Sequence, residues 1–335
     1  MNPEDTSIVE IDYEVKMSLL KAISLFLAVC IVNASKLDLL MPEVAPDKAD
    51  TYLCIPLKMS ELNTYIVGFE PHANKKVAHH MLLYGCDTPG IPGAKVWNCG
   101  GMEHPSFKSA GTCKTGNKGI IYAWAYDAPG LTLPKDNGVD SSGVSLITTE
   151  VPQPKRAGVM LLGTGGMLPK HSVEYFETAC KYRESFTVYP FAYRTHAHKH
   201  GKVVSGYVIK DGVWTELGRK DPMKPEMFYN VTTTGVRINP GDYMAARCTM
   251  KNDEDRNVYI GATSKDEMCN FYIMFYTDGT KTTSQNCWTA GPPSFYWDES
   301  TQYAKAIHPE NAPENISTEP ESGKSYKITT RKMLL

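Results

Sequence analysis

Short runs of β-branched and aromatic residues recur along this chain, and clusters of Gly, Pro, Asn and Asp separate them. Thr64-Tyr-Ile-Val-Gly-Phe, Ile120-Ile-Tyr-Ala-Trp-Ala, Val203-Val-Ser-Gly-Tyr-Val-Ile and Phe271-Tyr-Ile-Met-Phe-Tyr are the clearest. Each is strand-length, and no long run carries the 3.6-residue period of an amphipathic helix. This spacing predicts an all-β protein built as antiparallel sandwiches or jelly rolls. Val151-Pro-Gln-Pro carries two residues that cannot donate to a strand ladder, which marks a joint near residue 157. Two domains are expected, one over 36–157 and one over 158–300, because 335 residues exceed one typical domain. Beyond residue 300 the chain turns polar, with Pro309, Pro313 and Pro320, and 301–335 reads as a flexible tail. No internal repeat of fixed period is evident.

The start of the chain has a different pattern. Leu19 to Val32 is apolar apart from Lys21, and Val32-Asn33-Ala34 supplies a small residue for cleavage. Residues 1–35 therefore read as a leader with a secretory signal peptide, too short for a membrane span of about 20 apolar residues. Glu4, Asp5, Glu10, Asp12 and Glu14 precede this run where a signal has basic residues, so Met17 is the expected start. No membrane span is expected in the mature chain. The expected location is the secretory pathway, in a granule lumen or outside the cell.

Charge and cysteine content narrow the chemistry. Thirty-five basic against 37 acidic side chains give a net charge of -2, which provides no field for gripping nucleic acid. Of the 9 cysteines, Cys30 lies in the apolar leader. An even set remains: Cys54, Cys86, Cys99, Cys113, Cys180, Cys248, Cys269 and Cys287. In an exported chain they imply four disulfides, for which 105 pairings are possible. No CxxC pair supports a zinc site. Asn230-Val-Thr and Asn315-Ile-Ser are glycosylation acceptors that suit the same compartment.

Three clusters carry candidate chemistry. In Tyr193-Arg-Thr-His-Ala-His-Lys-His, strand geometry puts His196 and His198 on one face, and His200 continues the parity. Two imidazoles so placed can share a metal ion. His79-His80 is weaker evidence. Strand neighbours point to opposite faces, so a shared metal needs a local twist, and one core and one surface histidine would read identically. Met268, in Asp266-Glu-Met-Cys-Asn, would ordinarily be core filler. It abuts Cys269, however, which a disulfide would fix in place. A thioether beside two imidazoles suits copper that cycles between two oxidation states better than zinc or calcium.

With these residues in view, the chain resembles the peptidylglycine α-hydroxylating monooxygenases of the copper type II, ascorbate-dependent family. The resemblance runs from about Leu37 to Trp288 through HHMLLYGC, VPQP, YRTHAH, GKVVSGY, AARC and DEMCNFYIM. It implies two β-sandwich domains with one copper each: His79 and His80 for the electron-donating copper, and His196, His198 and Met268 for the copper at which reaction occurs. It implies the disulfides Cys54–Cys99, Cys86–Cys113, Cys180–Cys287 and Cys248–Cys269. It also implies that Arg194 grips a peptide's C-terminal carboxylate, assisted by Asn270 and Tyr272.

The implied reaction hydroxylates the α-carbon of a C-terminal glycine with dioxygen, and ascorbate supplies the electrons. This is the first step of peptide amidation. A separate lyase then splits the product, and the chain has no length left for that domain. The sibling enzyme that hydroxylates dopamine shares the two-copper core, but Arg194, Asn270 and Tyr272 favour a peptide.

One stretch departs from the family pattern. Between Trp124 and the joint, the family carries a third histidine for the first copper, in a segment reading roughly LQVHY. Here Lys135-Asp-Asn-Gly-Val-Asp-Ser-Ser-Gly runs straight on, and no histidine lies between His104 and His171. About thirty residues, the length of several strands, are missing from the first sandwich. The second expectation is therefore a splice form or incomplete gene sequence: a catalytically impaired chain, or a secreted copper- and peptide-binding protein with an incomplete first site.

Overall fold

A computed structural model describes residues 34–45, 51–59, 64–73, 78, 80–125, 142–263 and 265–328. Residues 1–33 of the leader, with Met17, lie outside these residues, as do His79 and the junction at Val139 and Asp140; Ala34 and Ser35, read as the end of the leader, begin the first strand. The described chain is almost entirely β, as its hydrophobic pattern predicts, and its sheets are antiparallel except where one short edge strand joins in parallel.

The N-terminal part is built from small sheets. In the first, β7 (Gly143–Thr149) is hydrogen-bonded on one side to β1 (Ala34–Leu40) and on the other to β3 (Tyr65–His72). A two-stranded ribbon pairs β4 (His80–Pro89) with β6 (Cys113–Ala125), and a shorter one pairs β2 (Leu53–Cys54) with β5 (Trp97–Asn98). Phe69 on β3 stacks on Tyr122 on β6, with ring centroids 4.5 Å apart, joining sheet to ribbon. Disulfides Cys54–Cys99 and Cys86–Cys113 staple the two ribbons.

The C-terminal part is a fuller sandwich. One sheet has four strands in the order β10 (Ser172–Lys181), β15 (Tyr243–Asn252), β12 (Gly201–Lys210), β13 (Val213–Lys220). The other has five, in the order β14 (Tyr229–Asn230), β11 (Tyr189–Ala197), β17 (Cys269–Asp278), β8 (Lys155–Thr164), β18 (Cys287–Thr289). A small pair, β9 (Met167–Leu168) with β16 (Val258–Tyr259), closes one end.

Alternation along the strands decides what each face does. On β17, Cys269, Phe271, Ile273 and Phe275 enter the core between the two sheets, where Tyr193, Val204, Phe176 and Leu217 meet them. Two glycines make that core possible. A Cβ on Gly206 would stand 2.2 Å from the Phe271 ring, and one on Gly218 would stand 2.2 Å from Tyr193. These absent side chains admit the rings of Tyr193 and Phe271, which stack 5.6 Å apart. Disulfide Cys248–Cys269 ties β15 to β17 across the same core, and Cys180–Cys287 ties β10 to β18.

The intervening residues point to the other face of the five-stranded sheet. Val159, Leu161 and Tyr272 pack there with Ile120 from β6 and with Phe228. Arg156 lies 4.6 Å from the Tyr65 ring centroid, a second contact between the N-terminal and C-terminal parts. The outer face of this sheet is thus covered by the N-terminal ribbon, and the functional side chains lie on it.

Within the stretch read as a flexible tail, residues 301–316 carry regular structure and buried side chains. A short helix, α1 (Thr301–Ile307), is N-capped by Ser300, whose side chain accepts from the Tyr303 amide. Ile307 and Ile316 are buried with Trp297, Tyr207 and Ile209 against the four-stranded sheet. Trp214 donates to the Ile307 carbonyl, and Ser205 donates to that of Ile316. The prolines and polar residues that read as a tail separate a few apolar anchors, spaced too irregularly to form a periodic signal. None of the helices in the described residues is long and apolar enough to cross a membrane.

Candidate copper centre

The pairing of β11 with β17 assembles the site. Its register sets Arg194 opposite Tyr272 and His196 opposite Asn270. All four share the outer-face parity, so a polar row forms beneath the covering ribbon. His196 Nε2 lies 3.3 Å from Met268 Sδ, and Met268 itself sits one residue before β17 begins. The His198 ring is edge-on to His196, with centroids 5.4 Å apart.

Strand β11 ends at Ala197, so His198 occupies the turn that follows. This limits the parity reading. The backbone turns at once, with the Gly201 amide donating to the His198 carbonyl, and His200 points to Glu267 at 3.0 Å and not towards Met268. His200 is therefore a structural residue of the turn.

Both imidazoles are anchored through Nδ1. His196 Nδ1 lies 2.8 and 2.9 Å from the Glu226 carboxylate oxygens, and His198 Nδ1 donates to the Asp266 carbonyl at 2.8 Å. Anchors of this kind fix tautomer and ring orientation, the way a metal-binding imidazole is held when its Nε2 is the ligand. Among the described residues no three His, Cys, Asp or Glu side chains converge into a metal cage. The donor set here is two imidazoles and a thioether, which fits copper and disfavours zinc or calcium.

Glu267 braces the two donor-bearing segments. It is fully buried, and its Oε1 accepts from the backbone amides of His198 and Met268. Its Oε2 accepts from the His200 amide at 2.9 Å and from His200 Nδ1. Burial alone would raise its pKa. The bonds from the His200 side chain and the Met268 and His200 amides outweigh burial and hold the carboxyl below the usual range. Glu267→Gln would set an NH2 group against two N–H donors. We expect a loss of about 2 kcal/mol of stability, read as a lower denaturant midpoint in urea unfolding; an unchanged midpoint would contradict this bracing role.

Arg194 is almost wholly enclosed, 2% exposed, and its partner is again a carboxylate. Nη2 donates to Glu226 Oε2 at 2.5 Å and Nε donates to the Glu226 carbonyl at 3.2 Å. The guanidinium also lies 5.0 Å from the Tyr272 ring centroid. Burial raises the Tyr272 phenol above its ordinary pKa, so it stays neutral beside this pair.

From the N-terminal ribbon, His80 reaches the same place, its ring centroid 6.3 Å from that of His196. The Tyr52 hydroxyl shares a hydrogen bond with His80 Nε2. Burial pushes the Tyr52 phenol well above its ordinary value and the Tyr84 phenol up to about 12. Both remain donors throughout the physiological range. His79 lies outside the described residues.

Three residues escaped the sequence reading: Glu226, Glu267 and Tyr52. Glu267 stands inside the DEMCNFYIM string, where its adjacency to Met268 was a usable signal. Glu226, in Met223-Lys-Pro-Glu-Met, and Tyr52 sit in irregular stretches without periodicity, and only the fold brings them to the histidines.

Comparison with known proteins bears on this arrangement. Residues 37–146 match the description "Copper type II ascorbate-dependent monooxygenase, N-terminal domain", and residues 155–300 match the corresponding C-terminal domain. Peptidyl-glycine alpha-amidating monooxygenase B of Xenopus laevis is 36% identical over 293 residues, covering 78% of this chain and 32% of the relative. Peptidylglycine alpha-amidating monooxygenase of Rattus norvegicus is 36% identical over 274 residues, covering 72% and 27%. Dopamine beta-hydroxylase of Bos taurus is 23% identical over 312 residues, covering 77% and 49%. The chain spans about a third of the length of the amidating monooxygenases it matches. The two domain matches together take in most of its residues, and the chain belongs to the copper type II ascorbate-dependent monooxygenases.

Proposed function

We propose that this chain hydroxylates the α-carbon of the C-terminal glycine of peptides, the first step of peptide amidation. The observation that carries the reading is the approach of His196 Nε2 to Met268 Sδ at 3.3 Å, on the sheet face that also presents Arg194. Copper held by His196, His198 and Met268 supplies one-electron chemistry with dioxygen, with ascorbate as the reductant.

The remaining work falls to the chain's own groups. Arg194 and His196 are two positions apart on one strand, so their Cα atoms stand roughly 7 Å apart. A peptide whose terminal carboxylate is held at Arg194 therefore lays its last α-carbon towards the imidazole and the thioether. Tyr272 and Asn270, the cross-strand partners of those two residues, wall the path with neutral hydrogen-bonding groups. Ile120 and Phe228 cover the neighbouring face and keep bulk water from it.

We assign His79 and His80 to a second, electron-entry copper, with Tyr52 hydrogen-bonded to His80 beside it. The sequence offers that centre no third histidine between His104 and His171. Passage through the secretory pathway accords with the four disulfides and with Asn230 and Asn315, both exposed acceptors. A separate lyase would split the hydroxyglycine product. A peptide is favoured over dopamine because the amidating relatives are 36% identical and the dopamine enzyme 23%.

The test is direct. The purified chain, given copper, ascorbate, dioxygen and a glycine-ended peptide, should add one oxygen atom to that peptide by mass spectrometry. A copper-loaded chain that consumes ascorbate without oxygenating the peptide would overturn the assignment.

A further inference from the structure

Glu226 joins the two halves of the site, and its hold on Arg194 goes beyond the anchoring of His196. It is 6% exposed, its carboxylate bonds His196 Nδ1 at 2.8 Å and Arg194 Nη2 at 2.5 Å, and its backbone carbonyl takes Arg194 Nε. Two of the three guanidinium nitrogens are thus bound to this one residue. The edge with which an arginine takes a carboxylate in two parallel bonds is partly filled by the chain's own carboxylate.

We propose that Glu226 is a specificity-determining residue that competes with the peptide's terminal carboxylate for Arg194 and so sets a low affinity for anionic C-termini. The proposal rests on the reading of Arg194 as the peptide anchor. Its physical basis is charge. Arg194 and Glu226 form a buried neutral pair, so an arriving carboxylate finds no net positive charge and meets a second carboxylate beside the guanidinium. Like charges juxtaposed in a desolvated site repel strongly, and a buried guanidinium already satisfied by one carboxylate gains less from another.

The bond to His196 makes displacement harder still. To leave Arg194, Glu226 would have to swing from the same imidazole that it orients. The residue therefore couples substrate grip to the orientation of a copper ligand, and a peptide carboxylate has to share Arg194 with Glu226 or force it aside. Were Glu226 merely the counter-charge that lets Arg194 be buried, removing its charge would weaken the fold without selectively improving the binding of acids.

The test uses the full chain, loaded with Cu(II) and kept without ascorbate so that no turnover occurs. Binding of an N-acetylated dipeptide ending in glycine is measured by titration calorimetry, as the free acid and as the C-terminal amide. In Glu226→Gln, which keeps the side-chain shape and an acceptor for His196, the free acid should bind about tenfold tighter than in the unmodified chain, while the amide binds unchanged. Should that variant fail to fold, Glu226→Ala gives the same comparison. An acid-to-amide preference present in the unmodified chain and unmoved in a folded variant overturns the proposal alone. Absence of any acid preference in both proteins overturns it together with the reading of Arg194 as anchor.

Discussion

Replacing Met268 with Ile should reduce glycine hydroxylation by more than about 100-fold while leaving the fold intact. The magnitude follows from the place of the sulfur: residues that merely orient metal ligands are worth 10- to 100-fold, and a direct donor should exceed them. Intactness follows from volume, because Met and Ile are similar in size and a half-buried position tolerates the exchange for less than about 1.5 kcal/mol. Met268 is not among the buried residues of the core between the sheets, and among the described residues its hydrogen-bond-like neighbours are His196 and, at 4.0 Å, the Asn270 amide. The check is a rate measurement with a glycine-ended peptide beside a thermal melt. A variant that melts like the parent and keeps most of its activity would show that the thioether is dispensable.

The second large effect concerns the bond next to that sulfur. Converting Cys248 and Cys269 together to Ser should cost about 3 kcal/mol, since the disulfide closes a loop of sequence separation 21 in the unfolded chain. At roughly 2 to 4 °C per kcal/mol, this corresponds to a fall of about 10 °C in Tm, read by circular dichroism. The same change frees the start of β17, where Met268 and the Glu267 brace are anchored, so weaker copper retention should accompany the lower Tm. A double variant that melts lower but holds copper as tightly would separate stability from the site and leave Glu267 as sufficient support.

The four strongest apolar runs all became strands, β3, β6, β12 and β17, because period-2 alternation and β-branched composition report directly on a sheet with one face in a core. The four disulfides pair as the resemblance implies. His196 and Met268, 72 positions apart, were legible as donors by residue type, and the register of β11 on β17 brings them together. The parity that His200 continues in the sequence lapses in the structure, because β11 stops at Ala197 and the turn that follows aims His200 at Glu267.

What stayed hidden shares a cause. Glu226 and Tyr52 act from irregular segments, where position is set by tertiary contacts and not by local pattern. The packing of Ile307 and Ile316 beneath a polar, proline-dotted stretch was equally invisible, because two isolated apolar anchors do not make a periodic signal. A buried carboxylate is also an improbable guess from sequence, since Glu is seldom enclosed unless partnered, and its partners Arg194 and His196 precede it by 32 and 30 positions.

The central claim is that one copper is shared by a sulfur and two ring nitrogens on the outer face of the five-stranded sheet. Copper X-ray absorption on the ascorbate-reduced full chain tests it most directly. A sulfur scattering shell present in the unmodified protein and absent from Met268→Ile is the predicted result. A first shell of nitrogen and oxygen alone in the unmodified protein would contradict it.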